Sequence, residues 1–503
     1  MGDTLPADKP LTDRLLRSWI RCRRRAWLDR HGPVLERRYT AHRTLQLDDQ
    51  QRCFVALLPQ KPATGQAGLA AGAAGVVGVR LYGTGPDGLS IQAHPALLQR
   101  VKGRSRWGEF AYRPVMARQG RRLTREHRLP LALAGRLLNE HQQGAVPAAL
   151  AVGLEGGHRL AKERLPLNAA LDRQLDEALG KLASDLRRPQ PPALAADRRK
   201  CTLCSWRGLC NAQAVADGHL SEVSGIGAKR RDMLQDLGID SLQDLASADP
   251  DALASQLGRF GEQHAAVASP LVAQALAQFE GRCNVLDGSP ALPELDGAPG
   301  VLLYDIESDP DARDDFLHGF VVLPRSADGA WDLALARYHP VLTLQDQGEH
   351  RCWRRLSTLL ARYSDWPVLH YGETESLALR RMAQRQNASA AQRDALQHRL
   401  VDVHARVRRH WRLPLNSYGL KSVAAWRGFQ WRQRHVDGAR ALLWWRQWRG
   451  MGPGGRGHPQ TLRWIFTYNE DDCLATWSVA AWLLSASQES GQSSNEAGEL
   501  ISS

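Results

Sequence analysis

Val301-Leu-Leu-Tyr-Asp305-Ile-Glu307-Ser308 combines a run of apolar residues with two closely spaced acids. Its first four residues are apolar and typical of strands, so the pattern predicts a buried strand. Because side chains alternate along a strand, Asp305 and Glu307 are expected on the same side of it. Two carboxylates this close repel each other unless a cation lies between them, and oxygen ligands favour Mg²⁺ or Mn²⁺.

Two further stretches carry acidic residues. In Thr467-Tyr468-Asn-Glu-Asp-Asp472, the tyrosine and the last aspartate are four residues apart in a helical pattern and share one helix face. Between them in the chain, the segment ending in Glu375 is expected to form a short strand, a turn and the start of a helix. Each acid alone is more simply interpreted as a solvated surface charge. Three such motifs in this order favour one two-metal site for phosphodiester hydrolysis.

These three motifs resemble those of the DEDD exonucleases of the RNase H-like fold. The resemblance implies an RNase H-like α/β domain with a mixed sheet over residues 300–486. It also implies metal ligands and a tyrosine, Tyr468, that orients the attacking water. The implied ligands are Asp305, Glu307, Glu375 and Asp472. Glu375 departs from the family, which usually has aspartate at this position.

A cysteine cluster lies near residue 200, where Cys201, Cys204 and Cys210 have the spacing C-x2-C-x5-C. Cys22 is the best candidate for a fourth ligand. One early and three late cysteines resemble the iron–sulfur RecB-type nucleases, which implies a 4Fe–4S cluster on these four thiolates. Zn²⁺ bound by four thiolates and reduced, unliganded cysteines are the alternatives.

The same resemblance implies a PD-(D/E)XK-like α/β domain over residues 1–215, but its catalytic positions are degenerate. The family has acids and a lysine where this chain has Ala96, Met116 and Arg118. It has a Gln-x3-Tyr pair where this chain has Pro130 and Ala134. Since alanine and methionine are not ligands for a hard metal ion, this domain is predicted to bind nucleic acid without cutting it.

The stretch Gly225-Ile-Gly227-Ala-Lys229-Arg230 resembles a helix–hairpin–helix motif, in a small all-α region over residues 216–285. The two glycines allow a tight turn whose amide N–H groups hold a phosphate without reading bases. Lys229 and Arg230 add positive charge. The alternative is an ordinary helix-capping turn between two helices.

Composition is consistent with a polyanionic partner. The 503 residues carry a formal net charge of +13, mostly from arginine, although genomic bias also produces such composition. The stretch from Trp426 to Trp448 interleaves tryptophan with arginine, a pattern of base stacking or, more simply, of a core helix. No uninterrupted apolar run approaches the ~18 residues of a membrane span, and no signal peptide pattern is visible. A cytoplasmic protein without disulfides is therefore expected.

Residues 286–299 are expected to be a linker and residues 487–503 a disordered tail. The order of parts resembles a bacterial family of RecB-like nucleases with a YprB-type ribonuclease H-like C-terminal domain. This resemblance implies a metal-dependent nuclease, expected to be a 3′→5′ exonuclease on single-stranded DNA or RNA. The alternative is a non-catalytic nucleic-acid-binding or scaffold protein with a relic active site.

Overall fold

The computed structural model describes residues 9–118, 120, 122–155, 159–195, 198–310, 314–344, 348–450 and 457–499, with backbone only for 199–200 and 487–499. The chain forms two compact units, Met1–Ala212 and Gln213–Ser503. Both are built from strands and helices, so the α/β class is confirmed. None of the helices in these ranges combines the length and hydropathy that a membrane span needs.

The first unit contains mostly short strands and several longer helices. Its strands are β1 (Leu11–Thr12), β2 (Ala63–Thr64), β3 (Gly75–Val77), β4 (Leu81–Thr84), β5 (Ser90–Ala93), β6 (Leu97–Val101), β7 (Ala111–Ala117), β8 (Ala148–Glu155) and β9 (Arg159–Pro166). Its helices are α1 (Asp13–Arg21), α2 (Arg23–His31), α3 (Ala41–Leu57), α4 (Gly65–Ala70), α5 (Arg125–Gln142), α6 (Ala169–Leu186) and α7 (Arg207–Ala216), the last of which ends beyond the unit boundary.

A six-stranded sheet organises the first unit, in the order β2-β3-β6-β7-β8-β9. β7 and β8 are parallel and are connected through α5, whereas β6 pairs antiparallel with β7. Neighbouring side chains of β6 face opposite ways: Leu98 packs in a core with α1, α5 and α6, and Leu97 packs in another with α3. The sheet is therefore covered by helices on both faces.

The second unit begins with short helices and continues into a larger α/β region. Its helices are α8 (Ala228–Asp236), α9 (Leu242–Ala246), α10 (Pro250–Gly258), α11 (Glu262–Ala265), α12 (Ala268–Glu280), α13 (Glu349–Arg362), α14 (Glu373–Arg385), α15 (Ala390–Arg399), α16 (Val403–His410), α17 (Leu420–Trp426), α18 (Gly438–Trp448) and α19 (Pro459–Glu499). Its strands are β10 (Asn284–Val285), β11 (Gly300–Asp309), β12 (Asp314–Pro324), β13 (Arg337–Leu342), β14 (Val368–His370), β15 (Leu400–Asp402) and β16 (Trp411–Arg412).

β11 is the central strand of a mixed five-stranded sheet ordered β13-β12-β11-β14-β15. β12 runs antiparallel to β11 and β13, and β14 runs parallel to β11 and β15. Val301 and Leu303 face a core that includes α19, whereas Leu302 and Tyr304 face a core with α13 and α14. The buried strand predicted from the sequence is therefore confirmed, with helices on both of its faces.

The short helices α8 to α12 share a core of their own, to which Leu234, Leu245 and Leu257 contribute. This region is hydrogen-bonded to the larger one within the same unit. Gln274 on α12 donates to the backbone oxygen of Leu413 at 2.9 Å. The helical region is thus a part of the second unit with polar ties to the sheet region.

Two segments differ from the expectations for the linker and the tail. Within residues 286–299, Ala291, Leu292 and Leu295 are buried in the core that also contains α19, because these apolar side chains gain more from burial than from exposure. Just before it, β10 pairs with β16. At the other end, α19 continues to Glu499 through the segment expected to be disordered, and residues 500–503 lie outside the described ranges.

Candidate functional site

An acidic cluster lies between β11 and α19. Asp305, Glu307 and Asp472 each place a carboxylate oxygen within 4.8 Å of the other two. The first two acids share a strand face, as predicted, and that face packs against the helix that carries the third. The strand register shifts between Glu307 and Ser308, a bulge of the kind that re-aims side chains near functional sites.

The electrostatics of this cluster are those of buried carboxylates that repel one another. The pKa of Asp305 is raised well above its usual value, first by burial and then by the charges of Asp472 and Glu307. Burial and the charge of Asp472 likewise raise the pKa of Glu307. Burial also raises the pKa of Asp472. A divalent cation would remove this repulsion, and three carboxylates are a suitable oxygen donor set for Mg²⁺ or Mn²⁺.

Glu375 lies near this cluster but outside the group of three. It is in the first turn of α14, where the sequence predicted a helix to begin. Burial raises its pKa to about 7, and the charges of Asp402 and Asp472 add to this shift. Its Oε2 atom is buried without a hydrogen-bond partner among the described residues. Glu375 therefore has an unused oxygen close to the other acids.

Tyr468 is buried one helical turn before Asp472, as its spacing predicted. It donates a hydrogen bond to the Asp472 carboxylate, and burial raises its pKa, so the phenol stays neutral and remains a donor. The Lys421 ammonium lies 4.7 Å from the centre of the Tyr468 ring. Lys421 also lowers the pKa of all three clustered carboxyls, so its positive charge partly compensates their negative charge.

Two residues that the motifs did not mark hold the clustered acids in place. The Asn469 amide donates to Asp305 Oδ2 at 2.7 Å, and Asn469 Oδ1 accepts from the Tyr338 hydroxyl at 2.8 Å. The indole of Trp431 donates to Asp472 Oδ1 at 2.6 Å. Nothing in the sequence distinguishes Asn469 from the polar residues Glu470 and Asp471 that follow it. Trp431, from the tryptophan- and arginine-rich stretch, packs partly against the core and also holds Asp472.

A glycine makes room for Asn469. Gly319 on β12 pairs with Asp305, and a Cβ atom added at Gly319 would lie only 1.6 Å from Asn469 Oδ1. The asparagine is held by two hydrogen bonds, so it cannot move aside without losing them. The absence of a side chain at position 319 is therefore a requirement of this arrangement.

We expect Gly319→Ala to lower the free energy of unfolding by about 1–3 kcal/mol, because the added methyl group overpacks the site and displaces Asn469. Denaturant unfolding of the two proteins measures this difference. The double variant Gly319→Ala/Asn469→Ala removes the clashing amide and should recover most of the loss. Equal stabilities of Gly319→Ala and the wild type would contradict the required-glycine interpretation.

A buried ion pair fixes the end of β11 next to the acids. Arg446 on α18 donates from Nε and from one Nη atom to the two carboxylate oxygens of Asp309, each at 3.1 Å. Both residues are buried. Because Asp309 lies two residues after Glu307 on the same strand, this pair constrains the strand segment that carries the site.

The Gly225–Gly227 turn has the backbone that the sequence predicted. Gly225 has φ +93°, a conformation that favours glycine, and Gly227 caps α8. The motif is preceded by a short 3-10 turn, Leu220–Glu222, rather than by a longer helix. Lys229 is exposed, but the guanidinium of Arg230 donates to the backbone oxygen of Gly225 and is thus engaged by its own loop.

The four predicted cluster cysteines come together in the first unit. Cys22 lies between α1 and α2, and Cys201, Cys204 and Cys210 join it around one cavity of about 140 Å³. All eight cysteines of the chain are free thiols. The nearby Trp206 donates from its indole to Asp29 at 2.9 Å, which fastens the late cysteine segment to α2. The four cysteines singled out from the sequence therefore line a common cavity.

Four of the five positions predicted to be degenerate in the first unit also come together. Ala96, Met116, Pro130 and Ala134 line one cavity of about 530 Å³. Arg118, the fifth predicted position, is not part of that lining. Its Nε atom lies 3.6 Å from the Glu163 carboxylate. These four positions, from three segments distant in the sequence, thus converge on a common cavity.

Comparison with known proteins gives one family match. Residues 302–484 match the sequence model of the RNase H superfamily, a range that contains the acidic cluster, Glu375 and Tyr468. The C-terminal region is therefore RNase H-like, which confirms that part of the resemblance. The comparison with curated proteins finds no match to the chain.

Proposed function

We propose that this protein is a metal-dependent nuclease whose active site is the acidic cluster of the RNase H-like region. The observation that carries the proposal is the close approach of Asp305, Glu307 and Asp472 inside a region matching that superfamily. Divalent cations held by these carboxylates, with Glu375 as a further ligand, would activate water and stabilise the leaving oxygen of a phosphodiester. The proposed metal is Mg²⁺ or Mn²⁺.

The surrounding residues have distinct proposed roles. Tyr468, a neutral donor, orients the attacking water through its hydroxyl group. Asn469 and Trp431 are positioning residues, because their hydrogen bonds orient the carboxylates of Asp305 and Asp472. Lys421 balances part of the negative charge of the acids.

The proposed reaction is 3′→5′ exonucleolytic cleavage of single-stranded DNA or RNA. The test is degradation of end-labelled single-stranded DNA and RNA by the full-length protein with Mn²⁺. Stepwise loss from the 3′ end supports the proposal, and internal cuts would assign endonuclease activity to the same site. Binding without any metal-dependent cleavage would instead support a nucleic-acid-binding or scaffold protein with a relic site.

We also propose that residues 1–215 form a RecB-like domain that has lost its catalytic residues. Four of the five degenerate positions line one cavity, which supports the assignment of these segments to one former active site. Residues 216–285 are proposed to contain a phosphate-binding helix–hairpin–helix, in which the exposed Gly225, Gly227 and Lys229 remain accessible and Arg230 stabilises the turn.

The four cluster cysteines are proposed to bind a 4Fe–4S cluster that ties the two ends of the first unit together. Among the described residues, no three of these four thiols have their sulfur atoms within 4.8 Å of one another. On a tetrahedral zinc ion, Zn–S bonds of about 2.3 Å place the sulfurs about 3.8 Å apart. The wider spacing and the cavity between the thiols are a better fit to the larger cluster.

We expect anaerobically purified protein to be brown and to contain iron and sulfide, because thiolates in this arrangement suit an iron–sulfur cluster. Cys22→Ser should reduce the iron content, whereas Cys283→Ser, which changes an exposed cysteine elsewhere, should not. Absorbance spectra with iron and zinc analysis measure both. Zinc alone would contradict the cluster, and full iron in Cys22→Ser would contradict only the choice of this ligand.

A further inference from the structure

The cavity of about 530 Å³ in the first unit has an arginine-rich wall. Its lining includes Arg14, Arg17, Arg21, Arg25 and Arg43. The first three are spaced three and four apart and share one face of α1. The carboxylates in the lining are those of Asp13 and Glu126, so the cavity has a formal excess of three positive charges with histidines neutral.

Several of these arginines are not engaged elsewhere. Arg14 donates to the Tyr39 hydroxyl at 3.0 Å, and Arg25 approaches Asp29 at 4.0 Å. Within the described residues, the side chains of Arg17, Arg21 and Arg43 form no hydrogen bond or ion pair. Guanidinium groups that are gathered together without partners repel one another, so an anion between them would be stabilised.

The direction of the Arg17 pKa shift agrees with the crowding of positive charges in this wall. Burial lowers the pKa of Arg17, Glu126 partly opposes this effect, and Arg43 lowers the pKa further. One acid is used by the fold: Asp13 accepts a hydrogen bond from the backbone N–H of His94 at 3.2 Å. The local field therefore favours a ligand with negative charge.

The rest of the lining combines polar side chains, among them His94, with small and apolar ones. Ala96, Met116 and Ala134 offer no charge and no metal ligand, and among the described residues this lining contains no group of three closely spaced metal-ligating side chains. Its volume is within the range of small-molecule sites and accommodates a nucleotide. Apolar surface suits a base and sugar, while the arginine forks suit phosphate oxygens.

We propose that this arginine-lined cavity binds the phosphate groups of a nucleotide unit and holds it without cleaving it. The ligand is either part of a nucleic-acid strand or a free nucleotide, since both present the same chemistry. The choice of a nucleotide over other phosphate compounds rests on the nuclease function proposed above, whereas the preference for a polyanion follows from the cavity itself.

The test measures binding of a labelled single-stranded oligonucleotide to the full-length protein in EDTA, where metal-dependent cleavage does not occur. Arg17→Gln/Arg43→Gln removes two charges from the wall, and Arg43→Gln alone changes an exposed side chain that leaves the core intact. Arg173→Gln, an exposed arginine on α6 outside the cavity, is the matched control. Melting temperatures of all variants verify folding.

We expect binding to weaken by about tenfold for each arginine that is replaced, because each replacement removes a charge-assisted contact to phosphate. The dependence of log affinity on log salt should become shallower by about 0.7 for each lost arginine. The control variant should change neither quantity. In a second arm, displacement of the strand by a nucleoside monophosphate identifies a single-nucleotide site, and its failure to compete identifies the strand as the ligand.

Folded cavity variants that bind both ligands as tightly as Arg173→Gln would overturn the proposal. This outcome is distinguishable from failure of the proposed nuclease function. Binding is measured without divalent metal and does not depend on Asp305, whereas the nuclease proposal fails only if metal-dependent cleavage is absent or survives the loss of that residue.

Discussion

Asp305→Ala should lower the rate of metal-dependent cleavage by on the order of a thousandfold or more. The substitution removes a central carboxylate from the cluster with Glu307 and Asp472. Metal-assisted activation of water supplies several kcal/mol of transition-state stabilisation, and each ~1.4 kcal/mol corresponds to about tenfold in rate. Initial rates on end-labelled single strands with Mn²⁺ measure the effect. Asp305→Asn, which keeps the shape and loses the charge, should be similarly impaired.

The matched control is Asp394→Ala, which removes an exposed aspartate on α15. It should cleave at the wild-type rate. Unchanged cleavage by Asp305→Ala would mean that the acidic cluster is not the active site.

Arg446→Met should destabilise the second unit by about 3–5 kcal/mol. The substitution leaves the carboxylate of Asp309 buried without the two hydrogen bonds that it accepts from Arg446. Removal of one partner from a buried pair costs this much because the remaining charge stays desolvated. Chemical unfolding followed by tryptophan fluorescence measures the change.

An exposed ion pair of the same unit provides the comparison. Arg385 donates to Glu349 on the surface, so Arg385→Met should cost less than about 1 kcal/mol. The double variant Arg446→Met/Asp309→Leu replaces the buried charges by apolar groups and should recover stability. Similar losses for Arg446→Met and Arg385→Met would refute a special contribution from the buried pair.

Local sequence patterns were sufficient to predict which residues of the candidate site share a strand face or a helix face. Alternation along β11 predicted that Asp305 and Glu307 share a face, and the spacing of Tyr468 and Asp472 predicted their common helix side. Both predictions depend on the geometry of one element, which the sequence specifies locally. These patterns did not predict the position of Glu375, which lies in the first turn of its own helix as expected but outside the group of three acids.

Those local patterns could not predict contacts between residues far apart in the sequence. The hydrogen bond from Trp431 to Asp472 joins residues 41 apart, and that from Asn469 to Asp305 joins residues 164 apart. Neither has a periodic signature. The linker expectation failed for a related reason, since Pro and Gly around Leu292 and Leu295 signalled a loop while the apolar residues between them were used by the core.

The fit between Gly319 and Asn469 has a consequence for how this family of sequences can vary. A side chain at position 319 and an amide at position 469 exclude each other within the same backbone. Relatives that keep asparagine at the second position should therefore keep glycine at the first. Where the amide has been replaced by alanine or serine, larger residues at position 319 become acceptable, so the two positions should covary across relatives although 150 residues separate them along the chain.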